Sequence, residues 1–548
     1  MFYMCFLLFV SLFAAASGAP DLSSAGASTP ALAFPVHRAL HYGINGNPAA
    51  FGSRKSHIRA LAKMYDARKA SGTTPTHEVL LVPLESLLPS DVPRVLKAST
   101  AGIVFILPAA GVAISAETED AIFDLETRIV QEGFDVPLYF TEADDVAGVL
   151  ELLRGSGTYT FVDKGDKSLP PMKTSVTAQT LLVDFSDGNG KGAVSVGGKG
   201  RAAKDDRPAI VIVASHDTLG VAPTLAPRTL RDGGSGATAT LELIRMYSRL
   251  FSLQNTRAAY RLLFVLSSSS KLNHFGVKQW LAEVDYGLID KVEFVLCLDQ
   301  LTQPELFFHM SRKQSEDEST MLFRTMQTVA ERIPGIQLKL INKKINVSHH
   351  EMRWEHEIFV HKKLVAATLS SLQSPRPLFL RSSLVDRRKD ADIVPVLSRN
   401  IQFVANLLSL FLFPALNTSK EELFSGPSGA QQAHITALQG FFTNYARPVP
   451  FQSGKISSTL LQTIQAFTSK VTAHESTYKG NYVFYEHTDT IIEMYETRSI
   501  QFELGLMIMI LAYLGVLLVL YNGGSVRQAL EALQDLFPSR SFLRAKKN

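Results

Sequence analysis

The sequence predicts an α/β body carried on one C-terminal membrane helix. Strongly apolar strand-length runs, such as Gly102–Leu107 (GIVFIL), Pro208–Ala214 (PAIVIVA) and Arg261–Leu266 (RLLFVL), alternate with stretches of helical spacing. That pattern belongs to a sheet covered on both faces. A run of 18 residues without a charge, Leu504–Tyr521 (LGLMIMILAYLGVLLVLY), lies near the end, and a shorter apolar run, Phe2–Phe13, opens the chain. Composition agrees: 548 residues at 46% hydrophobic and 19% charged leave room for two to four structural units and exclude disorder or a multispanning protein. A net charge of +4 spread along the chain gives no reason to expect direct nucleic-acid binding.

In chain order, residues 1–19 read as a signal peptide. Their apolar core has signal length and is too short to span a bilayer, and small residues from Ala14 to Ala19 follow it. Pro20 disfavours cleavage directly after Ala19, and Ala16 or Gly18 serves as well. Residues 20–195 form an N-terminal luminal α/β domain. Its strands are expected at Glu78–Pro83, Gly102–Leu107 and Val136–Tyr139, and its helices at Ala116–Glu132 and Ala143–Arg154. The Gly/Lys/Asp-rich stretch 186–207 reads as a loop. The second domain, 196–413, has strands ending at Ala214, Leu266 and Leu298, a further strand from Val365, and helices at Thr238–Phe251, Gly276–Val284 and Ser398–Phe411. Residues 414–501 read as a luminal helical stalk, 502–521 as the transmembrane helix and 522–548 as a cytosolic basic tail.

Topology follows from the ends. At 1.5 Å per residue, 18 residues cover about 27 Å, enough for a thin bilayer. The tail carries Arg527, Arg540, Arg544, Lys546 and Lys547 against Glu531 and Asp535, a cytosolic bias that makes a type I protein. Cys5 falls in the signal, so Cys297 is left alone and the luminal part must rely on an apolar core. Sequons at Asn346-Val347-Ser348 and Asn417-Thr418-Ser419 would then face the glycosylating compartment.

Ligand sites in such sheets lie beyond the carboxyl ends of the strands. Ser215-His216-Asp217, the serines 267–270 and Asp299 all fall there, and carboxylates with histidine at such ends suggest a zinc hydrolase. The stretch from Pro208 to about Phe411 resembles the M28 zinc aminopeptidases. Most of the chain resembles the nicalin family, nicastrin-related pseudo-peptidases. The resemblance rests on Ile210–Pro223 (IVIVASHDTLGVAP), Gly234–Phe251 (GSGATATLELIRMYSRLF), Phe294–Asp299 (FVLCLD), Trp354-Glu355-His356-Glu357 and Tyr482–Arg498 (YVFYEHTDTIIEMYETR).

The M28 resemblance implies an aminopeptidase-like domain at 196–413 with a disarmed site. Asp217, Asp232 and Asp299 match metal-ligand positions. The first histidine ligand is replaced by Ser215, with His216 one place off. The Glu-Glu pair for base and ligand falls at about Ser270 and Lys271, and the last histidine is absent from Ser382–Asp386. No catalytic residue, metal or other cofactor is therefore expected, the three aspartates being vestigial. The histidines at 349, 350, 356 and 361 lack helical zinc-pair spacing and read as a surface loop. The nicalin resemblance implies an endoplasmic reticulum membrane scaffold. Its expected partners are a multispanning membrane protein, a Nodal modulator-type luminal protein and, indirectly, the Sec translocon and ribosome, in multipass membrane-protein biogenesis with a link to Nodal-type signalling. Gly505 and Gly515 would permit close helix approach in the bilayer. Two alternatives stay open: a divergent luminal zinc aminopeptidase and a nicastrin-like subunit of an intramembrane protease. The lone Cys297 counts against the latter.

Overall fold

The computed structural model describes residues 30–521 apart from internal segments, of which 66–77, 165–171 and 186–205 are the longest. The signal, the basic tail, most of the 186–207 loop, Asp232, both sequon asparagines and the 349–350 histidine pair lie outside the described residues. In the first part of the chain the strands are β1 (Leu32–Arg38), β2 (His41–Ile44), β3 (Asn47–Ser53), β4 (Arg59–Met64), β5 (Glu78–Pro83), β6 (Gly102–Leu107), β7 (Gly133–Phe134), β8 (Leu138–Glu142), β9 (Tyr159–Asp163), β10 (Met172–Lys173) and β11 (Val176–Phe185). Then come β12 (Ala209–Ser215), β13 (Arg261–Ser267), β14 (Val292–Leu298), β15 (Glu305–Met310), β16 (Gln337–Asn342) and β17 (Ala366–Ser370). The last three are β18 (Val471–Tyr478), β19 (Tyr482–Tyr485) and β20 (Thr490–Glu496).

The fold is mixed α/β. An eight-stranded sheet runs β16-β15-β17-β14-β12-β13-β11-β18; its centre from β17 to β13 is parallel, β11 and β18 are antiparallel at one flank, and the mutually parallel pair β15 and β16 joins β17 antiparallel at the other. Every residue of β13 is buried, because helices cover both faces. On one face pack the Ser235–Phe251 and Ile393–Leu412 helices; on the other, Phe275–Glu283 and His356–His361 bury Val277, Trp280, Ile358 and Phe359. A second unit is a closed barrel of order β1-β20-β9-β4-β5-β6-β8, filled by Phe34, Val36, Leu81, Val104, Phe161 and Met494. The Ala116–Gln131 helix starts at Ser115, whose hydroxyl accepts from the Thr118 amide as an N-cap, and it buries Ile122, Leu125 and Ile129 outside the barrel.

Three expectations change. The strand expected at Val136–Tyr139 runs from Leu138 to Glu142, because Pro137 offers no amide to the ladder. The boundaries at 195 and 413 do not separate the units: β11 enters the large sheet, while β20 closes the barrel. Residues 414–501 are no helical stalk. After the helices Gln432–Asn444 and Gly454–Phe467 they supply β18, paired with β11 from Val176 to Val183, and β20, paired with both β1 and β9. The strand β18 alternates exposed polar and half-buried residues, as an edge strand does, so it carries no apolar run. The final helix, Ile500–Tyr521, shows exposed Leu506, Ile508, Leu511, Leu514 and Val516 along its length. Ile393–Leu412 is also long and apolar enough to span a membrane, but it is mostly buried in the protein.

Candidate functional site

At the carboxyl ends of β12, β13 and β14 lies a cavity of about 10 Å³, room for roughly one water molecule. Its lining includes Ser215, Ser270, Lys271, His274, Asp299, Glu355 and Arg381. Ser215 ends β12, Asp299 follows β14, and Ser370, ending β17, donates to Asp299 Oδ2 at 3.0 Å. Lys271 and His274 arrive on a tight turn after β13, in which Ser269, Asn273 and His274 hold φ of 63°, 55° and 55°. Such left-handed backbone at non-glycine residues costs free energy and is retained where the surroundings impose it.

The expected aspartates come out as follows. Asp217 is fully buried beside the cavity and accepts from the Lys271 amide through Oδ2 at 3.2 Å. Asp299 lines the cavity, and Asp232 lies outside the described residues. His216 is buried and does not line the cavity. Burial pushes its pKa down to about 4. Ser382 does not line the cavity, and its Oγ accepts from the Leu219 amide at 3.1 Å. Asp386 pairs instead with Arg376 at 2.6 Å and Arg231 at 3.8 Å.

Three groups at the site come from segments that sequence reasoning did not assign to it. Glu355 accepts a 2.7 Å hydrogen bond from the Ser215 hydroxyl, and burial raises its pKa to about 7. His274 stands with Nδ1 4.0 Å from Glu355, its pKa held well below the usual value by burial and then by Arg381 and Lys271. Arg381 places Nη1 3.7 Å from Asp299 Oδ1 and lies over the Trp354 ring at 5.5 Å. The Trp354-Glu355 pair appeared in the sequence only as part of a resemblance, with no sign that it faces β12.

His356 is a correction. It is fully buried in the His356–His361 helix, with Nε2 2.6 Å from Ser311 Oγ and Nδ1 2.8 Å from Thr368 Oγ1. It is a core histidine and not part of a surface loop. With Trp354, His309 and Ser311 it borders a larger cleft of about 730 Å³.

Zinc does not fit the small cavity. A hydrolytic zinc centre needs imidazole and carboxylate ligands facing an open coordination position. Here Ser215 at the end of β12 and Ser270 in the turn after β13 stand where such ligands are needed, and two cationic side chains occupy the same lining. Among the described residues no group of three or more His, Cys, Asp or Glu side chains is arranged to hold a metal ion.

Fold and site together define a class: a nicastrin-like α/β body on a candidate membrane helix. The structure of the gamma-secretase component nicastrin aligns with TM-score 0.58 and 8% identity over 86% of this chain and all of that one, a likeness of fold. At the level of sequence, BOS complex subunit NCLN of Canis lupus familiaris is 29% identical over 530 residues, covering 91% of this chain and 90% of that protein. The Homo sapiens protein of the same name is 28% identical over the same shares, and Caenorhabditis elegans nicalin is 26% identical over 377 residues, 64% of each. No family model matches the chain. The chain is a nicalin homologue.

Proposed function

We propose that this chain is a non-catalytic scaffold subunit of a BOS-type complex in the endoplasmic reticulum membrane, supporting multipass membrane-protein biogenesis beside the Sec translocon. The observation that carries the reading is similarity to BOS complex subunits along nine-tenths of the chain, joined to a strand-end site filled by Lys271 and Arg381. Water activation by zinc needs a metal and a general base there, and a buried ammonium and guanidinium repel a dication. In this reading the chain is a type I protein. The α/β body lies in the lumen, Leu504–Tyr521 spans the bilayer against a multispanning partner, and a Nodal modulator-type protein binds the luminal side. Asn417 and Asn346 are its glycosylation sites.

Purification from membranes in mild detergent, followed by mass spectrometry, tests it. Recovery of BOS and translocon components is the expected result. Recovery of gamma-secretase components instead would turn the assignment toward a nicastrin-like role. Stoichiometric zinc with chelator-sensitive peptide hydrolysis would replace the scaffold reading by an enzyme.

A further inference from the structure

Carboxylates gathered at buried strand ends need a counter-charge, since an uncompensated buried anion is strongly disfavoured. Asp217 is fully buried, and one of its oxygens, Oδ1, is enclosed without a hydrogen-bond partner. Asp299 is held by Ser370 on one oxygen and approached by Arg381 on the other. Glu355 has the Ser215 hydroxyl. Against the two aspartates stand two cations, each almost excluded from water: Lys271 at 2% exposure and Arg381 at 5%. Both side chains line the cavity together with His274 and Asp299.

Arg381 is also fixed from three directions. Its guanidinium faces Asp299, covers Trp354 and donates to the Arg353 carbonyl. Two residues further on, the Ser383 hydroxyl donates to Glu126 of the Ala116–Gln131 helix at 2.7 Å, in the barrel unit. The turn carrying Arg381 therefore joins the strand-end site to the seam between the two units.

We propose that Arg381 and Lys271 are internal counter-ions that take the place a metal charge would hold, closing the site as a self-neutralised cluster that anchors the 381–386 turn and, through it, the barrel unit. Lys271 enters from the turn after β13 and Arg381 from the residue before Ser382, at or beside two of the three places where the metal-site resemblance expects a functional group and finds none, the third being Ser215. The inference rests on the non-catalytic reading of the site and deepens it.

The test is thermal unfolding of the full-length protein in detergent, comparing wild type, Arg381→Met, Asp299→Asn and the double variant, each with and without added Zn²⁺ or Ca²⁺. Removing Arg381 alone leaves Asp299 without its counter-charge, so the unfolding temperature should fall by several degrees, and either cation should restore part of it. Wild type should not respond to the cations. The double variant removes both charges and should unfold above Arg381→Met; if Arg381→Met fails to fold, recovery of a folded double variant gives the same support. A double variant no more stable than Arg381→Met overturns the proposal, as does a wild-type protein stabilised by Zn²⁺. Either failure leaves the complex-scaffold reading standing, because co-purification decides that separately.

Discussion

The carboxyl group of Glu126, in the barrel unit, accepts hydrogen bonds from the Ser383 hydroxyl and the Leu384 amide of the other unit, both at 2.7 Å. Glu126 is 1% exposed, and burial raises its pKa from 4.5 to about 7 in spite of these donors. The folded protein thus keeps a proton that the unfolded chain gives up above pH 4.5. For this group stability is greatest below pH 4.5, falls as pH rises from 4.5 to about 7, and is level beyond. The penalty at neutral pH is on the order of 3 kcal/mol. Glu126→Gln keeps an oxygen to accept from the Leu384 amide, offers its NH2 to the Ser383 hydroxyl as acceptor, and has no charge to bury, so it should raise stability at pH 7.5 and flatten the profile. Denaturation midpoints of the two proteins at pH 5 and pH 7.5 measure this; profiles that stay parallel would exclude Glu126 as the source.

Gly236, in the first turn of the Ser235–Phe251 helix, shows how tightly that helix meets the end of β14. A Cβ there would stand 2.3 Å from the Leu298 carbonyl oxygen and 2.7 Å from that of Asp299. Gly to Ala inside a helix ordinarily gains about 0.5–1 kcal/mol. Here the neighbours are backbone atoms that cannot rotate away, and overpacking of this kind costs about 1–3 kcal/mol. The clash should prevail, so Gly236→Ala is expected to destabilise by about 2 kcal/mol, read from the urea midpoint at constant m. A stabilised variant would mean that the helix stands further from β14 than described.

The central strands were legible in the sequence because a strand buried on both faces must be apolar throughout. Glu78–Pro83 and Gly102–Leu107 match the expected bounds, and β12, β13 and β14 do so within one residue at either end. β18 was not legible, since an edge strand with one wet face spells VTAHESTY, without an apolar run. β20 was missed because closing the barrel requires pairing across more than 300 residues, which no local pattern reports. The site divides in the same way. Asp217 and Asp299 follow from the rule that ligands gather at strand ends, whereas Glu355 and Arg381 reach the cavity from other segments, 140 residues away from Ser215 in the case of Glu355. Their burial could not be inferred because a charged residue beside Trp354 or after Leu378-Phe379-Leu380 is equally at home at the edge of an apolar run facing solvent.

If residues 471–496 formed a stalk, a chain ending before them would keep its body intact. In the structure they contribute one strand to each of three sheets. Removing β18 exposes the ladder of β11, and removing β20 opens the barrel between β1 and β9, leaving unpaired edges and an uncovered apolar interior. A form truncated at residue 469 should be insoluble or rapidly proteolysed, while one truncated at 497 should remain folded. Equal protease resistance of the two forms would restore the stalk.

Arg447 gives the sharpest expectation within the same region. It is fully buried, donates through Nη1 to the Gly233 carbonyl at 2.9 Å and to the His216 carbonyl, and lies over the Phe442 ring at 4.8 Å. Its own backbone carbonyl accepts from the Thr218 amide at 2.9 Å, and the Val449 amide donates to Thr218 at 3.0 Å. One side chain and a short bridge thus fasten the 447–449 segment to the loop after β12 that carries Asp217. Arg447→Met would leave two buried carbonyls without this donor, at a cost of about 3 kcal/mol. Arg447→Lys keeps the charge without the planar donor geometry and should fall between the two. Chemical denaturation at constant m separates the three proteins. A change below about 0.5 kcal/mol in Arg447→Met, the range of ordinary surface substitutions, would mean that the clamp does not hold the loop.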